Sequence, residues 1–374
     1  MRLHHFLRLS CCCLAAVVLA TASLELRAAD RIVLRNLDIV SGKAVTRFDE
    51  DGVIIDDGRP ITWDQIERGI LAEKQAEFDK MLKEIGEPLY RIRQRLQVED
   101  YASCLSHAEK IYPRFSERRS ASAYMVAQSL MWARLATGQR EKALIPYFRC
   151  YEMLRSIDTS QIPLPGKRRL QFDKDTALTQ ELLPIWFDPE AAKAALPQVT
   201  TALRTLTKPL PDGARIYYAT LSLAAGERER AQHLLTDLSS DEGEVKQLRD
   251  LLLTQLDATP ETQSNTVNQL KNLLPQLDAS NRVLGMYWLG VAQTMSTNSD
   301  ERQEGVLQLL RIPALYSDTY PDMAAAALHT AMATLQKNQN TSGSTAVRKE
   351  LLTRFGNTFH AIQVKQSLNP GKDS

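Results

Sequence analysis

Two well-separated stretches of this chain spell one pattern, and that repetition constrains the fold more than any other feature. Met131–Phe148 reads MWARLATGQREKALIPYF and Ala219–Leu235 reads ATLSLAAGERERAQHLL. Each has an apolar helical period, a Gly, a charged run and then an Ala: Gly138 with Ala143, Gly226 with Ala231. A Gly suits a helix C-terminus because it enters the left-handed region at little cost. A small residue early in the following helix lets two antiparallel helices approach closely. Each stretch therefore predicts a helical hairpin, and a hairpin that cannot cover its own apolar face must stack on another.

Two further windows fit the template. In RLQVEDYASCLSHAEKIYP, Glu99 holds the turn and Cys104 the small position. In MYWLGVAQTMSTNSDERQEGVLQLL, Gly290 lies on the first helix and Gly305 on the second. Windows of this kind resemble the tetratricopeptide repeat family, with degenerate repeats, as in bacterial cell-envelope proteins. Ala219 also fills the small position that the family places seven residues before the turn glycine, whereas Met131 departs from it. The resemblance implies a mainly α protein, a right-handed α-solenoid of helical hairpins, with a protein- or peptide-binding concave face lined by first helices. By the phase of the template, that face carries Met125, Gln128 and Trp132 in one repeat, Ile216 and Thr220 in another, and Tyr287 in a third. Trp132 and Tyr287 also admit a plain core reading, since aromatics on repeat helices ordinarily pack.

The ends of the chain differ from its body. Arg2 and Arg8 flank the start, and Cys11–Ala20 (CCCLAAVVLA) is an apolar run of signal-peptide length, too short to span a bilayer comfortably. Cleavage after Ala28 is favoured over Ala22, because patterned sequence begins directly behind it; an uncleaved anchor is the competing reading. The expectation is an exported chain, periplasmic or extracellular, with no transmembrane segment in its mature part. Only Cys104 and Cys150 would then remain of the five cysteines. The template aims them at different helix faces, which predicts two buried thiols rather than a disulfide.

From Arg31 the rhythm is strand-like: RIVLRNLDIV, KAVTRF, GVIID and RPIT, with Asp51-Gly52 and Asp57-Gly58 at hairpin turns. This predicts three or four strands in a small β module over 29–62, loosely similar to SH3-like barrels, the SLA1-homology type among them. Its acids, Asp49, Glu50, Asp51, Asp56 and Asp57, fail the spacing of a calcium loop, since Arg47 and Gly58 fall on ligand positions. Thr62-Trp63-Asp64-Gln65 has the form of a capping box and predicts a helix from Trp63 ended by Gly86 and Pro88. Helical repeats are expected over 63–160 and 201–366, with a Pro-rich connector over 161–200 and a polar tail over 367–374. The apolar Ile185-Trp186-Phe187 of the connector is expected to pack on the helices, a docking patch being the alternative. Asn340-Thr341-Ser342 reads as polar linker rather than a glycosylation site.

Charge is balanced, 46 Lys and Arg against 45 Asp and Glu, which gives a nucleic-acid role no electrostatic support. Metalloprotease, hydrolase-elbow, P-loop and dinucleotide motifs are all missing from the sequence. His107, His233, His329 and His360 sit on separate predicted helices without a second metal ligand at helical spacing, and read as partly exposed helical histidines. No catalytic, cofactor or metal residue is therefore assigned. The reading that follows is an exported, non-enzymatic repeat protein, a scaffold or adaptor for an unidentified protein or peptide in the cell envelope. The alternative is an enzyme or enzyme subunit, or a glycan or peptide carrier, with a site in a groove between the β module and the helices.

Overall fold

The computed structural model describes residues 30–156, 164–238, 240, 242–259 and 261–368. The expected signal segment with its cleavage site, the start of the connector and the end of the tail lie outside them. The described chain is mainly helical with a small N-terminal β region, and none of its helices is long and apolar enough to cross a membrane. It divides into two compact units, one within 1–98, 106–126 and 163–166, the other within 99–105, 127–162 and 167–374.

The first unit holds six strands in two antiparallel sheets. One sheet has the order β2 (Ile39–Ser41), β1 (Arg31–Leu34) and β6 (Ile66–Ile70). The other has the order β3 (Val45–Asp49), β4 (Gly52–Ile55) and β5 (Pro60–Ile61). Both expected hairpin turns form, with Asp49 facing Gly52 across the first. The helix expected from Trp63 does not begin there. Trp63–Gln65 is a single 3-10 turn, Thr62 caps no helix N–H, and Ile66–Ile70 pairs with β1 with Arg31 opposite Ile70. Ile66 and Ile70 satisfy a helical period as well as an alternating one, and sheet pairing decides between them. The helix starts at Gln75 instead.

That helix, α1, then runs without a break through Gln75–Met81, a π-turn at Leu82–Gly86 and Glu87–Gln97. Gly86 and Pro88 do not end it. Gly86 keeps right-handed helical angles, and an added Cβ there would lie 2.7 Å from Leu82 Cδ1 and 3.3 Å from the Trp63 carbonyl. The glycine thus serves close packing rather than a stop. Trp63, Phe78 and Phe48 form the core of this unit, with ring centroids 5.2–6.0 Å apart. Three of the turn acids share one cation, Arg118, whose nitrogens lie 3.2, 3.0 and 2.9 Å from Asp49, Glu50 and Asp51.

The remaining helices follow as hairpins. They are α2 (Leu105–Phe115, entered by a 3-10 turn at Ala102–Cys104), α3 (Ala121–Ala136), α4 (Arg140–Ser156), α5 (Pro189–Thr205), α6 (Asp212–Ala224) and α7 (Arg228–Thr236). Then come α8 (Gly243–Leu256), α9 (Gln263–Leu273), α10 (Ala279–Thr294), α11 (Ser299–Tyr316), α12 (Pro321–Lys337), α13 (Thr341–Arg354) and α14 (Phe359–Leu368). A helix over Pro189–Thr205 begins inside the stretch read as connector and runs past its expected end at 200. Pro189 sits in the first turn, where it lacks only an N–H that would be unpaired anyway, and Asp188 caps it through Glu190 N and Ala191 N. Asn340 likewise caps α13 through Gly343 N, so the expected linker is a helix start.

The repeat turns share one geometry. Gln139 N donates to Arg134 O and Glu227 N to Ser222 O, closing the same cap around Gly138 (φ 72°) and Gly226 (φ 88°). Glu99 adopts the same left-handed region at φ 59°. The small crossing positions are filled as expected: Cys104, Ala143 and Ala231 are buried, and a Cβ on Gly305 would sit 2.9 Å from Gly290 O. Both cysteines are free and buried. Burial pushes the Cys150 thiol far above its usual range.

Gly138 and Gly226 differ in their surroundings. A Cβ on Gly138 would fall 2.6 Å from Asn357 O, at the turn between α13 and α14, whereas one on Gly226 meets open space. The first hairpin of the second unit therefore touches its last, a contact that an open solenoid of neighbour-only packing lacks. Gly226→Ala is expected to cost about 1–2 kcal/mol for its backbone alone. Gly138→Ala should lose roughly a further 1–3 kcal/mol through the steric conflict. Urea denaturation of the two variants checks the difference, and equal losses would mean the Asn357 contact carries no stability.

Candidate functional site: a connector held by the helices

In the second unit the connector stretch 167–188 lies against α4 and α6, held largely through its own backbone. Arg140, on the first turn of α4, donates from Nε to Ile185 O (3.1 Å) and from Nη2 to Leu183 O (2.6 Å). Its remaining nitrogen, Nη1, is 3.5 Å from Asp322 at the start of α12. The neighbouring Glu141 accepts from Phe187 N and Asp188 N at 3.2 and 3.3 Å. Burial raises the Glu141 pKa and works against these bonds. Farther along α4, Tyr147 and Tyr151 donate to Ala177 O (2.5 Å) and Lys174 O (2.9 Å). Tyr217 of α6 accepts from Thr179 N at 3.1 Å. Five helix side chains thus hold an irregular segment, which turns at 174–176 and has Ala177 left-handed at φ 61°, by its main-chain groups.

The apolar tripeptide adds anchors. Ile185 and Trp186 are buried, and Trp186 Nε1 donates to Thr220 Oγ1 at 2.9 Å. Phe187 packs edge-on to Tyr287 and His360, at 6.3 and 5.1 Å between ring centroids.

This placement corrects the expected binding face. Met125, Gln128, Trp132, Ile216 and Thr220 are all at most 5% exposed, and Tyr287 is half-buried. Thr220 is covered by Trp186 and Tyr287 by Phe187, while the Trp132 ring lies 5.3 Å from Tyr101 and 5.0 Å from Arg168. At Trp132, Thr220 and Tyr287 the chain's own residues occupy the place assigned to a partner. The phase of the template picks out these positions, yet nothing in it could tell a face that is covered from one that is open.

What stays open beside the connector is a polar cleft of 180 Å³, lined by Trp132, Arg140, Arg168, Glu181, Tyr320 and Asp322 among others. Arg168 pairs with Glu181 and lies 5.0–5.1 Å above the Trp132 and Tyr101 rings. Burial raises the Asp322 carboxyl, and the Arg140 guanidinium works against it. Trp132 Nε1 is buried without an acceptor. Arg140, Arg168 and Glu181 escaped sequence reasoning because isolated arginines and acids on helices and loops carry no spacing signal; only the tertiary approach of α4, α12 and the connector unites them.

A second gathering went equally unseen. His329 of α12 and His360 of α14 stack with centroids 4.7 Å apart and planes 20° from parallel. Neither nitrogen of His360 makes a hydrogen bond of good geometry. Burial, then the neighbouring His329, pushes the His360 pKa down to about 3, and the Gln363 side chain acts to raise it. Stacked rings direct their lone pairs side by side rather than toward one ion. Among the described residues, no group of three or more His, Cys, Asp or Glu is placed to hold a metal.

No family model, no curated protein and no solved structure matches this chain.

Proposed function

We propose that this chain is an exported helical-repeat protein that docks extended segments of partner proteins beside its own connector, as a scaffold of the cell envelope. In this reading the hairpins form a right-handed, tetratricopeptide-like stack whose first and last hairpins in the second unit meet at Gly138 and Asn357, and the chemistry of recognition is the one the chain already applies to itself. The observation carrying the proposal is the grip on 167–188: Arg140, Glu141, Tyr147, Tyr151 and Tyr217 hold a non-helical strand through its main chain. A surface that holds one non-helical segment by main-chain contacts sets the precedent for a second segment in the open cleft beside it. The cleft beside Leu183 is where such a segment would enter, with the unpaired Trp132 N–H as a donor for a carbonyl.

The test is site-directed photocrosslinking in the native envelope fraction. A benzophenone amino acid replaces Thr319, exposed at the cleft, and in a second sample Lys193, exposed on α5. The expected result is a discrete adduct from position 319 that is missing from position 193. Identical adducts from both positions, or none from 319, would remove the docking reading.

A further inference from the structure

The last three helices of the second unit enclose a groove of 550 Å³, well within the range of small-ligand sites, about 300–1,000 Å³. Its wall combines three kinds of chemistry. Arg348 of α13 is half-buried and, among the described residues, makes no ion pair, while the nearby Arg354 is matched by Glu350 at 2.7 Å. Among the described residues, no carboxylate lines the groove. Its other polar groups include His329, Ser344 and Gln363, which can each donate and accept. Met332 and Val364 supply apolar surface.

A half-buried guanidinium that faces a groove without a counter-ion among the described residues retains capacity for an anionic acceptor, and its planar fork matches a carboxylate. One cation favours one negative charge. Hydroxyl and amide groups that both donate and accept match the hydroxyls of a polyol, while apolar patches match its C–H faces. His329 is lowered by burial, so near neutral pH the ring is uncharged and offers one donor and one acceptor; its stack on His360 fixes the ring plane.

We infer that the groove between α12, α13 and α14 is a binding site for a singly charged, hydroxylated organic acid of sugar-acid size, with Arg348 holding the carboxylate and His329 and Gln363 the hydroxyls. This site is separate from the cleft of the docking proposal and stands without it.

The experiment is isothermal titration of the chain with D-glucuronate, glucose and inorganic phosphate. In parallel, the His329 imidazole resonance is followed by NMR. Glucuronate is expected to bind and shift His329, with glucose and phosphate each about tenfold weaker or more. Arg348→Gln should weaken glucuronate by about tenfold, whereas Lys193→Gln, a charge-matched change on exposed α5, leaves it unaltered. Unchanged far-ultraviolet dichroism confirms that Arg348→Gln is folded. The inference is overturned if glucuronate neither binds nor moves His329, if phosphate binds as tightly, or if Arg348→Gln binds like the parent.

Discussion

Arg140→Met is expected to lower the unfolding free energy by about 3–5 kcal/mol, among the largest losses for any single side chain in the second unit. Arg140 is 8% exposed, and its guanidinium serves three partners: the carbonyls of Leu183 and Ile185 and the carboxylate of Asp322. Methionine replaces most of the volume, so the cost is electrostatic and hydrogen-bonding rather than cavity formation. It leaves two carbonyls short of a donor and a buried carboxylate short of its cation, and each such loss is expensive away from water. Asp322 then has burial acting on it without the opposing Arg140, so its pKa rises further. The double variant Arg140→Met/Asp322→Asn should recover part of the loss by removing the stranded charge. Urea denaturation of the four proteins gives the coupling directly. A loss below about 1 kcal/mol for Arg140→Met would mean that the connector is held by its apolar anchors instead.

The second large effect is one of pH. His360 is depressed to about 3 in the folded chain, by burial first and by His329 second, against an ordinary value of 6.5. The unfolded chain therefore takes up a proton near pH 6.5 that the folded chain refuses until about pH 3. The contribution of this residue is fully present above 6.5 and is lost as the pH falls toward 3, at about 1.4 kcal/mol per pH unit. Roughly 2 kcal/mol should be gone by pH 5. His360→Phe should remove much of that slope. Phe187 and Phe359 already pack edge-on to this ring, and the contact given up is the one with the Gln363 side chain. Stability at pH 7.5 should hardly change, while the loss between pH 7.5 and 5 shrinks by about that amount. His329, also lowered by burial, retains a smaller slope of the same sign. An identical acid profile in parent and variant would show that His360 protonates without resistance.

Local chemistry was legible wherever one or two neighbouring residues decide the outcome. The turn glycines Gly138 and Gly226, the left-handed Glu99, the small residues Cys104, Ala143 and Gly305, and the two hairpin turns of the β module all stand where the sequence places them. Reading failed where one local pattern serves two structures. Ile66 and Ile70 fit a helix and a strand, Gly86 fits a stop and a close contact, and Pro189 fits a break and a first helical turn.

The sequence by itself determined that this chain folds as helical hairpins behind a small β region, because periodicity, caps and crossing residues act over a single turn or a single pair of helices. Only the tertiary structure decided what those hairpins present. Burial of Met125, Gln128, Trp132, Ile216 and Thr220, the grip of Arg140 on residues some forty positions away, the stacking of His329 on His360 and the lack of a partner for Arg348 among the described residues all depend on which distant surfaces meet. Such contacts are set by the sum of many weak packing energies over the whole unit, and no short stretch of residues encodes that sum.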